Sequence, residues 1–428
     1  MANGGIKVLS PIPEKFTAAE QTFKLNIGMT GITSFQSVVR TSWLSVKEMT
    51  STSVTIKMEA NIVQESRTGS VALYGRTLSG GNDVVTTITI TQDYYQCYPV
   101  WKDVFIDSTT LDDYIDYSLR IGDEIIYSGR ANKLPDETKI TFNINRIVAD
   151  YLNSTLDLTK YKEPYFVLFK KNDDAWKTID VLVNDVVVNS FDFYNNWSYS
   201  QDVENTIPTD GIYKLSRPIR SVLDKRQIFL ASFLNAYNWE EITHTYTCYY
   251  PEEDGSETVT EDMNFKEKGV YTAMNTTIKD YAAIEVYGDR YEVKDTCNKY
   301  CLYYSNALGG WDSFLINGNA VKSDKITSST FVKNANTSIS YDYEKKKYLN
   351  QMTTQYVLYT DYLTDDEASR MHHLLESVNV YLHNLETNEI IAVNITNTTC
   401  DYKTFKSNGN KKFYYTINVE ESQTKMRK

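Results

Sequence analysis

Cysteines and histidines are the residues of this chain with the most obvious capacity for metal or redox chemistry. Cys297 and Cys301 are four residues apart, so they could meet on one helical turn or lie on one face of a strand. The surrounding run DTCNKYCLYY is β-rich in character, which favours packing over metal binding or redox chemistry. His372 and His373 are adjacent on a predicted helix, about 100° apart, and cannot both reach one metal from that face. No metal or cofactor is therefore predicted.

Paired carboxylates are the next candidates, because two of them about 5 to 10 Å apart suffice for glycoside hydrolysis. The chain has 56 acidic residues and offers many pairs, among which the sequence does not choose. Asp312, in the run GGWDSF, is the most noticeable acid, since it lies beside Trp311 and after two glycines that permit a sharp turn. A structural turn that packs Trp311 on a sheet is favoured over a catalytic role. The sequence has no GxGxxG, P-loop, GxSxG or HExxH motif, so an enzyme is not predicted.

Length and composition restrict the class of protein that must position these residues. At about 100 to 200 residues per domain, 428 residues predict two to four domains. A formal net charge of -12 disfavours specific nucleic-acid binding, because affinity for phosphates comes from clustered cations. No apolar run reaches the roughly 18 residues of a membrane-spanning helix, so no membrane insertion is predicted. The N-terminal residues lack the apolar segment of a signal peptide, and five cysteines make no disulfide framework, which favours synthesis in a cytoplasm.

Charge is unevenly distributed along the chain. Residues 1–93 carry 8 basic and 7 acidic side chains, and residues 401–428 carry 7 basic and 3 acidic ones. The stretch between these two segments therefore carries the remaining 29 basic and 46 acidic side chains, a net charge of -17. Solvated acidic faces are the simplest explanation. The alternative is an acidic surface that binds a basic partner, and the basic C-terminal segment of a neighbouring copy would supply that partner. The predicted interface residues are Lys411, Lys412, Tyr414, Lys425 and Arg427.

Alternation of apolar and polar residues with a period of two is the dominant structural signal. Examples of predicted strands are residues 53–59, 70–74, 84–91, 165–169, 179–188 and 413–419. Helical signals are few, and the best is a predicted amphipathic helix over residues 364–378, where Thr364 and Glu367 form a capping box. The pattern predicts a mainly β, multidomain fold built from β-sandwiches with a few isolated helices.

The segment from about residue 20 to 93 carries the clearest family signature. Its marked positions, in order, are Trp43 to Val46, Asn61, Arg67 to Gly69, and Thr91 with Gln92. In this order the segment resembles the BACON domain, a small β-sandwich named for carbohydrate binding and found in proteins of gut Bacteroidetes and their phages. The short region between Val46 and Ser53 and the loop at residues 76–83 depart from the family pattern.

The resemblance implies a carbohydrate-binding role, in which Trp43 would be the ring that stacks on a sugar. The physical alternative is that Trp43 is a core aromatic of a small sandwich, and this interpretation is favoured. In that case the residues Arg67, Thr68 and Gly69 form a tight turn, and Asn61 caps the same region through its side chain.

A second resemblance covers much of the remaining chain. It rests on runs such as KYCLYYSNALGGWDSFLI (residues 299–316), NQMTTQYVLYTDYLTDDEASRMHHLLES (350–377) and KFYYTINVEES (412–422). These runs are similar to structural proteins of gut phages, including crAss-like ones, in which a C-terminal half of this kind accompanies tail or hub proteins. The resemblance implies a virion protein of the tail, synthesised in the host cytoplasm.

The expected organisation is a BACON-like sandwich with an N-terminal arm at 1–93, a middle β-rich domain at 94–205, and a C-terminal assembly domain at 206–428. The expected function is structural: a tail hub or adaptor subunit that forms a homo-oligomeric ring and docks other tail proteins or fibres. The alternative is a carbohydrate-binding adhesin of the tail or cell surface, which would bind a host surface glycan. No cofactor is expected in either case.

Overall fold

The structure is a computed structural model and is mainly β, as the sequence predicts, with short helices between strands. It describes residues 5–10, 12, 16, 21–59, 61, 66–77, 84–92, 97–109, 112–135, 137–159, 161–166, 168–197, 212–236, 242–251, 258–265, 267–332, 345–397, 399 and 414–427. These residues form three β-sandwiches and a fourth unit in which one large sheet packs on helices. No helix among them has the length and hydropathy needed to cross a lipid bilayer.

The first unit is a sandwich of a four-stranded sheet, in the order β1-β2-β5-β4, and a three-stranded sheet, in the order β3-β6-β7. Alternating residues of β5 enter its core, where Val54, Ile56 and Met58 are fully buried. Period-two alternation therefore predicts the buried face correctly. The strands are β1 Gly5–Val8, β2 Gln21–Thr30, β3 Ile32–Val39, β4 Leu44–Met49, β5 Ser53–Met58, β6 Arg67–Thr77 and β7 Val84–Gln92.

The second unit pairs a five-stranded sheet, in the order β11-β10-β14-β15-β8, with a two-stranded sheet of β9 and β12. Its elements are β8 Cys97–Pro99, β9 Phe105–Thr109, β10 Tyr114–Ile121, β11 Glu124–Asn132, β12 Lys139–Asn143, α1 Asn145–Ala149, β14 Trp176–Val183 and β15 Val186–Tyr194. The prediction of one strand over residues 179–188 is wrong, because a hairpin turn divides it at Asn184 and Asp185. Both turn residues have positive φ, 49° and 66°, as the two central residues of a type I′ hairpin turn require.

The third unit is a sandwich of two sheets, in the orders β13-β21-β18-β16 and β17-β23-β22-β19-β20. Strand β13, Leu168–Asn172, lies within the second unit in sequence but pairs with β21 here. The other strands are β16 Ile212–Lys214, β17 Val222–Asp224, β18 Phe229–Asn235, β19 Ile242–Tyr249, β20 Val259–Phe265, β21 Gly269–Asn275, β22 Ala283–Val286 and β23 Asp289–Lys294. Every residue of β18 is buried, because both faces of this strand are covered.

The fourth unit is an eight-stranded sheet that contains the order β25-β24-β28-β29-β30-β27-β26, with β31 beside β27. Its strands are β24 Tyr300–Ser305, β25 Trp311–Ile316, β26 Ala320–Val332, β27 Lys345–Tyr359, β28 Val380–Asn384, β29 Glu389–Ile395, β30 Thr416–Glu421 and β31 Lys425–Arg427. Two short helices, α2 Asp365–Ser369 and α3 Met371–Leu375, cover one face of it. Ala368, Met371 and Leu374 of these helices are buried in the same core as the sheet.

The predicted helix over residues 364–378 is thus correct in place but wrong in extent. Its capping box is present, since the Glu367 N–H donates to the Thr364 hydroxyl and the Thr364 N–H donates to the Glu367 carboxylate. The helix divides at Arg370, whose φ of -89° and ψ of -7° end the first segment. The guanidinium of Arg370 donates to the Pro218 carbonyl oxygen at 2.9 Å, so the break serves a contact with the third unit.

Strand pairing divides the described residues into four units with their own sheets, whereas three domains are expected from the sequence. The expected end of the first domain at residue 93 follows the last residue of β7, Gln92. The expected C-terminal domain at 206–428 contains two units rather than one, because residues 212–294 and 300–427 have separate sheets and separate main cores. Aromatic residues throughout this region hid the boundary in the sequence.

Units two, three and four are joined by buried side chains. One cluster combines Trp176 and Tyr194 of the second unit with Leu234 of the third and Leu308 of the fourth. A second cluster packs Leu230 and Met274 of the third unit on Trp311 and Leu315 of the fourth. The three units therefore form one body with shared cores.

Candidate functional site

The marked residues of the N-terminal sandwich come together around Trp43. The Trp43 side chain is only 8% exposed, and the Arg67 guanidinium carbon lies 4.3 Å from the ring centroid. Gly69 also lies against the ring, since a Cβ atom at this position would be 2.8 Å from Trp43 Cζ2. Only glycine fits at this position without moving the ring.

Arg67 links this ring to the end of the last strand. Its Nε donates to Gln92 Oε1 at 2.9 Å, and its Nη2 donates to the Glu59 carbonyl oxygen at 2.5 Å. Gln92 Nε2 donates to the same carbonyl at 3.1 Å, and both Gln92 and Asn61 are fully buried. Arg67 and Gln92, two of the residues that carry the resemblance, thus form one hydrogen-bonded cluster with the Glu59 carbonyl beside the Trp43 ring.

This geometry corrects the assignment of Trp43 as a sugar-binding platform. A stacking platform needs an open ring face, whereas Trp43 is buried and the Arg67 guanidinium lies over its ring. The core interpretation accounts for its placement. The predicted tight turn at Arg67, Thr68 and Gly69 is wrong, because these residues begin β6 and pair with the end of β7.

Asp312 lies in β25 at the junction of the third and fourth units and is 1% exposed. Asn306 Nδ2 and the Arg217 N–H donate to its Oδ2 at 2.7 and 3.1 Å. Burial raises the pKa of Asp312 to about 6. The nearby Ser216 hydroxyl donates to the Trp311 carbonyl at 2.9 Å instead, and Asp312 Oδ1 has no hydrogen-bond partner among the described residues.

Other buried polar groups surround this carboxylate. The hydroxyls of Tyr291 and Tyr304 and Nδ1 of His373 also lack a hydrogen-bond partner in the described part of the chain. Burial lowers the pKa of Lys214 to about 8, and the Asp312 carboxylate opposes this shift. Burial likewise lowers the pKa of His373, to about 3. The cluster is enclosed between two units, so a polymeric glycan cannot reach Asp312 in this conformation.

The predicted turn before Asp312 is present. Trp311 is 1% exposed and packs in the junction, and Gly309 has a φ of 92°. Asn306 Oδ1 accepts from the Leu308 and Gly310 N–H groups, both at 3.0 Å, and holds the turn. The turn before Asp312 thus packs Trp311 in the junction, as the sequence favours.

Thiols and imidazoles are dispersed. Cys301 is buried in β24, and burial raises the pKa of its thiol, whereas Cys297 is exposed. His383 is buried and bonds to the Tyr303 hydroxyl and to Asn388, both at 2.9 Å. No group of three potential metal ligands occurs in the described ranges.

Three of the five predicted interface residues are described, and all three belong to the fourth unit. Tyr414 is 61% exposed and packs edge-on against Tyr362, with 6.3 Å between ring centroids. Lys425 and Arg427 belong to β31, where they pair with Met352 and Asn350 of β27. Lys411 and Lys412 lie outside the described residues.

A long exposed pair of strands in the fourth unit was not predicted from the sequence. Strands β26 and β27 pair along their whole length, from Ala320 with Leu358 to Val332 with Lys345. We call β26 together with residues 345–353 of β27 the ribbon, because no side chain in it is buried. The run AVKSDKITSSTFV has no regular apolar alternation, and its polar residues resemble those of a loop.

Comparisons with known proteins give only distant similarities to solved structures. No family model matches the chain, and no curated protein matches it. A Bacteroides ovatus GH5 xyloglucanase is 22% identical over 22% of this chain and 19% of that chain, with a TM-score of 0.17. Fibronectin(III)-like modules of Clostridium thermocellum CbhA are 10% identical over 45% of this chain and 94% of that one, with a TM-score of 0.19. An ICAM-5 D1–D4 ectodomain fragment is 8% identical over 84% and 96% of the two chains, also with a TM-score of 0.19. At these scores none of the three bears on function.

Proposed function

We propose that this chain is a structural subunit of a phage tail, of the hub or adaptor type, which joins copies of itself in a ring and docks neighbouring tail proteins or fibres. The observation that carries the proposal is a body with shared cores that presents a long, uncovered ribbon. A subunit of a load-bearing assembly needs this combination of a stiff body and an exposed strand edge.

The stiffness follows from how the last three units are connected. Leu308 of the fourth unit is buried together with residues of the second and third, so bending at this junction would expose apolar surface. The polar cluster of Asp312 lies at the same junction, and opening it would separate Asp312 from the Arg217 N–H. Both features favour a fixed arrangement of the three units.

The first unit fits a peripheral role in this proposal. The buried residues of its main core all lie between Ile6 and Ile90. A self-contained unit of this kind can decorate the outside of a ring or bind a fibre. Because Trp43 is enclosed, the alternative of a carbohydrate-binding adhesin would need another ring as its platform.

Quantitative mass spectrometry of purified phage particles tests the proposal. We expect the chain in several copies per particle, in the fraction that retains tails after capsids and tails are separated. A portal or other ring protein of known copy number in the same particles calibrates the measurement. Absence from purified particles, or recovery only with host membranes or secreted protein, would contradict the tail assignment.

A further inference from the structure

We propose that the ribbon is a docking element that binds the acidic edge strand β20 of a second copy of this chain. The inference rests on the proposed function and adds to it the contact that joins neighbouring copies. Because donor and acceptor surfaces differ, the contact is heterologous, and a heterologous contact closes a ring when the rotation permits.

Among the described strands, most of the ribbon has no neighbouring strand beyond β26 and β27 themselves. Strand β30 pairs with β27 only at residues 355–359, and β31 pairs with it only at residues 350–352. Before residue 350, β27 pairs only with β26 in the part of the chain that the structure describes. An isolated two-stranded hairpin is marginally stable in water, so a partner that covers it would stabilise it.

Apolar side chains mark the ribbon as a protein-binding surface. Ile326 is 64% exposed, Val332 64% and Tyr348 56%. Phe331 is 44% exposed and lies 6.1 Å from the Tyr348 ring. Exposed apolar residues along an open strand edge favour strand addition by another protein over binding of a nucleic acid.

The ribbon and its neighbour β31 carry an uncompensated positive charge. The basic residues include Lys322 and Lys325 on β26, Lys345, Lys346 and Lys347 on β27, and Lys425 on β31. None of these six lysines has an ion-pair partner among the described residues. The one acid of the ribbon, Asp324, accepts a hydrogen bond from Thr354 at 2.8 Å. On a chain of net charge -12, this basic element is complementary to the body of another copy.

Strand β20 provides an open, acidic strand edge to which the basic ribbon of another copy can bind. It is the last strand of its sheet and pairs only with β19 among the described strands. Its Glu261 and Asp262 are exposed and have no ion-pair partner in the described ranges. An open edge with two free carboxylates fits an incoming basic strand.

A shallow concavity on the same sheet extends this acceptor. It has a volume of about 270 Å³ and is lined by Thr245, Thr247, Glu285, Tyr287 and Gly288. Asp262 pairs with Thr245 in the strand register, which places the two on one face. Glu285 is engaged by the Tyr249 hydroxyl at 2.8 Å, and Arg290 stacks on Tyr249, so Asp262 provides the free charge beside the concavity.

Charge reversal in the full chain tests this contact. The ribbon variant is Lys345→Glu with Lys346→Glu and Lys347→Glu, and the edge variant is Glu261→Lys with Asp262→Lys. The control variant reverses three exposed lysines of the first unit, Lys7→Glu, Lys24→Glu and Lys47→Glu, and changes the net charge by the same amount as the ribbon variant. Light scattering gives the mass of each protein and of the mixture of ribbon and edge variants.

We expect the wild-type chain and the control variant to associate, each reversed variant to be monomeric, and the mixture to associate again. Rescue on mixing also shows that both variants are folded. Carbodiimide coupling of isotopically mixed wild-type chains should join ribbon lysines to Glu261 or Asp262 between copies. A monomeric wild-type chain, a ribbon variant that associates as wild type, or a mixture that stays monomeric would overturn the proposal. So would a ribbon variant that loses binding to duplex DNA while keeping the wild-type mass.

The outcomes separate this contact from the tail function. A chain that associates as described but is absent from purified particles leaves the contact standing and removes the tail assignment. A chain that is present in several copies per particle, and whose ribbon variant still associates, leaves the tail assignment and removes the contact.

Discussion

At the scale of single residues, the polar groups that first suggest chemistry are explained by packing. Trp43 is enclosed by Arg67 and Gly69, and Asp312 is enclosed between two units. Sequence reasoning favoured a structural role for both, because an aromatic in a small sandwich and an acid after a glycine pair have common structural uses. It could not give the partners, since Gln92 and Arg217 are brought near only by tertiary folding.

Trp43→Ala is expected to destabilise the first unit by about 3 to 5 kcal/mol, because it removes a large buried side chain and leaves a cavity under Arg67. Val38→Ala, at a position 45% exposed in the same sandwich, is the control and should change stability by less than about 0.5 kcal/mol. Hydrogen exchange of peptides from β5 and β7 in the full chain measures both. Unchanged exchange in Trp43→Ala, together with lost binding on a glycan array, would instead favour a carbohydrate platform.

Asp312→Asn should change how the stability of the junction depends on pH. The folded pKa of about 6 lies above the ordinary value near 4, so the folded chain binds more protons than the unfolded chain between these values. Stability from this group is present below about pH 4 and is lost as pH rises through 6. The free energy of unfolding of Asp312→Asn relative to wild type should therefore rise over this window, by up to about 3 kcal/mol.

Native-state hydrogen exchange of peptides covering β24 and β25 measures this difference at each pH. The lowered pKa of His373 has the opposite pH dependence, but His373 is present in both proteins and largely cancels in the difference. Asp123→Asn, in an exposed turn of the second unit, removes a carboxylate outside the junction and gives the baseline for these peptides. A difference for Asp312→Asn that stays flat over the window would show that burial does not perturb Asp312.

At the scale of elements, period-two alternation predicts strands well where one face is buried. The predictions at residues 53–59 and 84–91 agree with β5 and β7 to within one residue. The hairpin at Asn184 was missed, because the turn is flanked by valines and the alternation continues through it. The ribbon was missed because a strand without a buried face has no apolar period to detect.

The turn between β24 and β25 should be intolerant of any side chain at Gly309. Its φ of 92° disfavours other residues, and a Cβ would collide with the Asn195 carbonyl oxygen of the second unit. Gly122→Ala is the matched control, since Gly122 also has positive φ, 57°, but open space around it. Thermal denaturation should show a clearly larger loss for Gly309→Ala than the cost of about 1 kcal/mol expected for the control. Equal losses would mean that backbone strain alone accounts for the effect and that the two units do not meet there.

At the scale of the whole molecule, the first unit differs from the others because none of its described residues belongs to the two buried clusters that join the other three units. A fragment of residues 1–93 should therefore fold alone, with a cooperative thermal transition by circular dichroism. A fragment of residues 94–205 should not, because it loses β21, the partner of its strand β13, and the side chains that bury Trp176. An unfolded first fragment, or a cooperative second one, would contradict this division of the chain.

Copy number and connectivity in the particle test the central claim most directly. The measurement is the native mass of tail subassemblies released from virions, or formed by co-expression, with the full chain and with a chain that lacks residues 424–428. This truncation removes β31 with Lys425 and Arg427, the strand beside the ribbon, and leaves the core strand β30 intact. The account predicts a closed ring of several copies with the full chain and loss of that ring with the truncated chain. A single copy per particle, or a ring unaffected by the truncation, would contradict it.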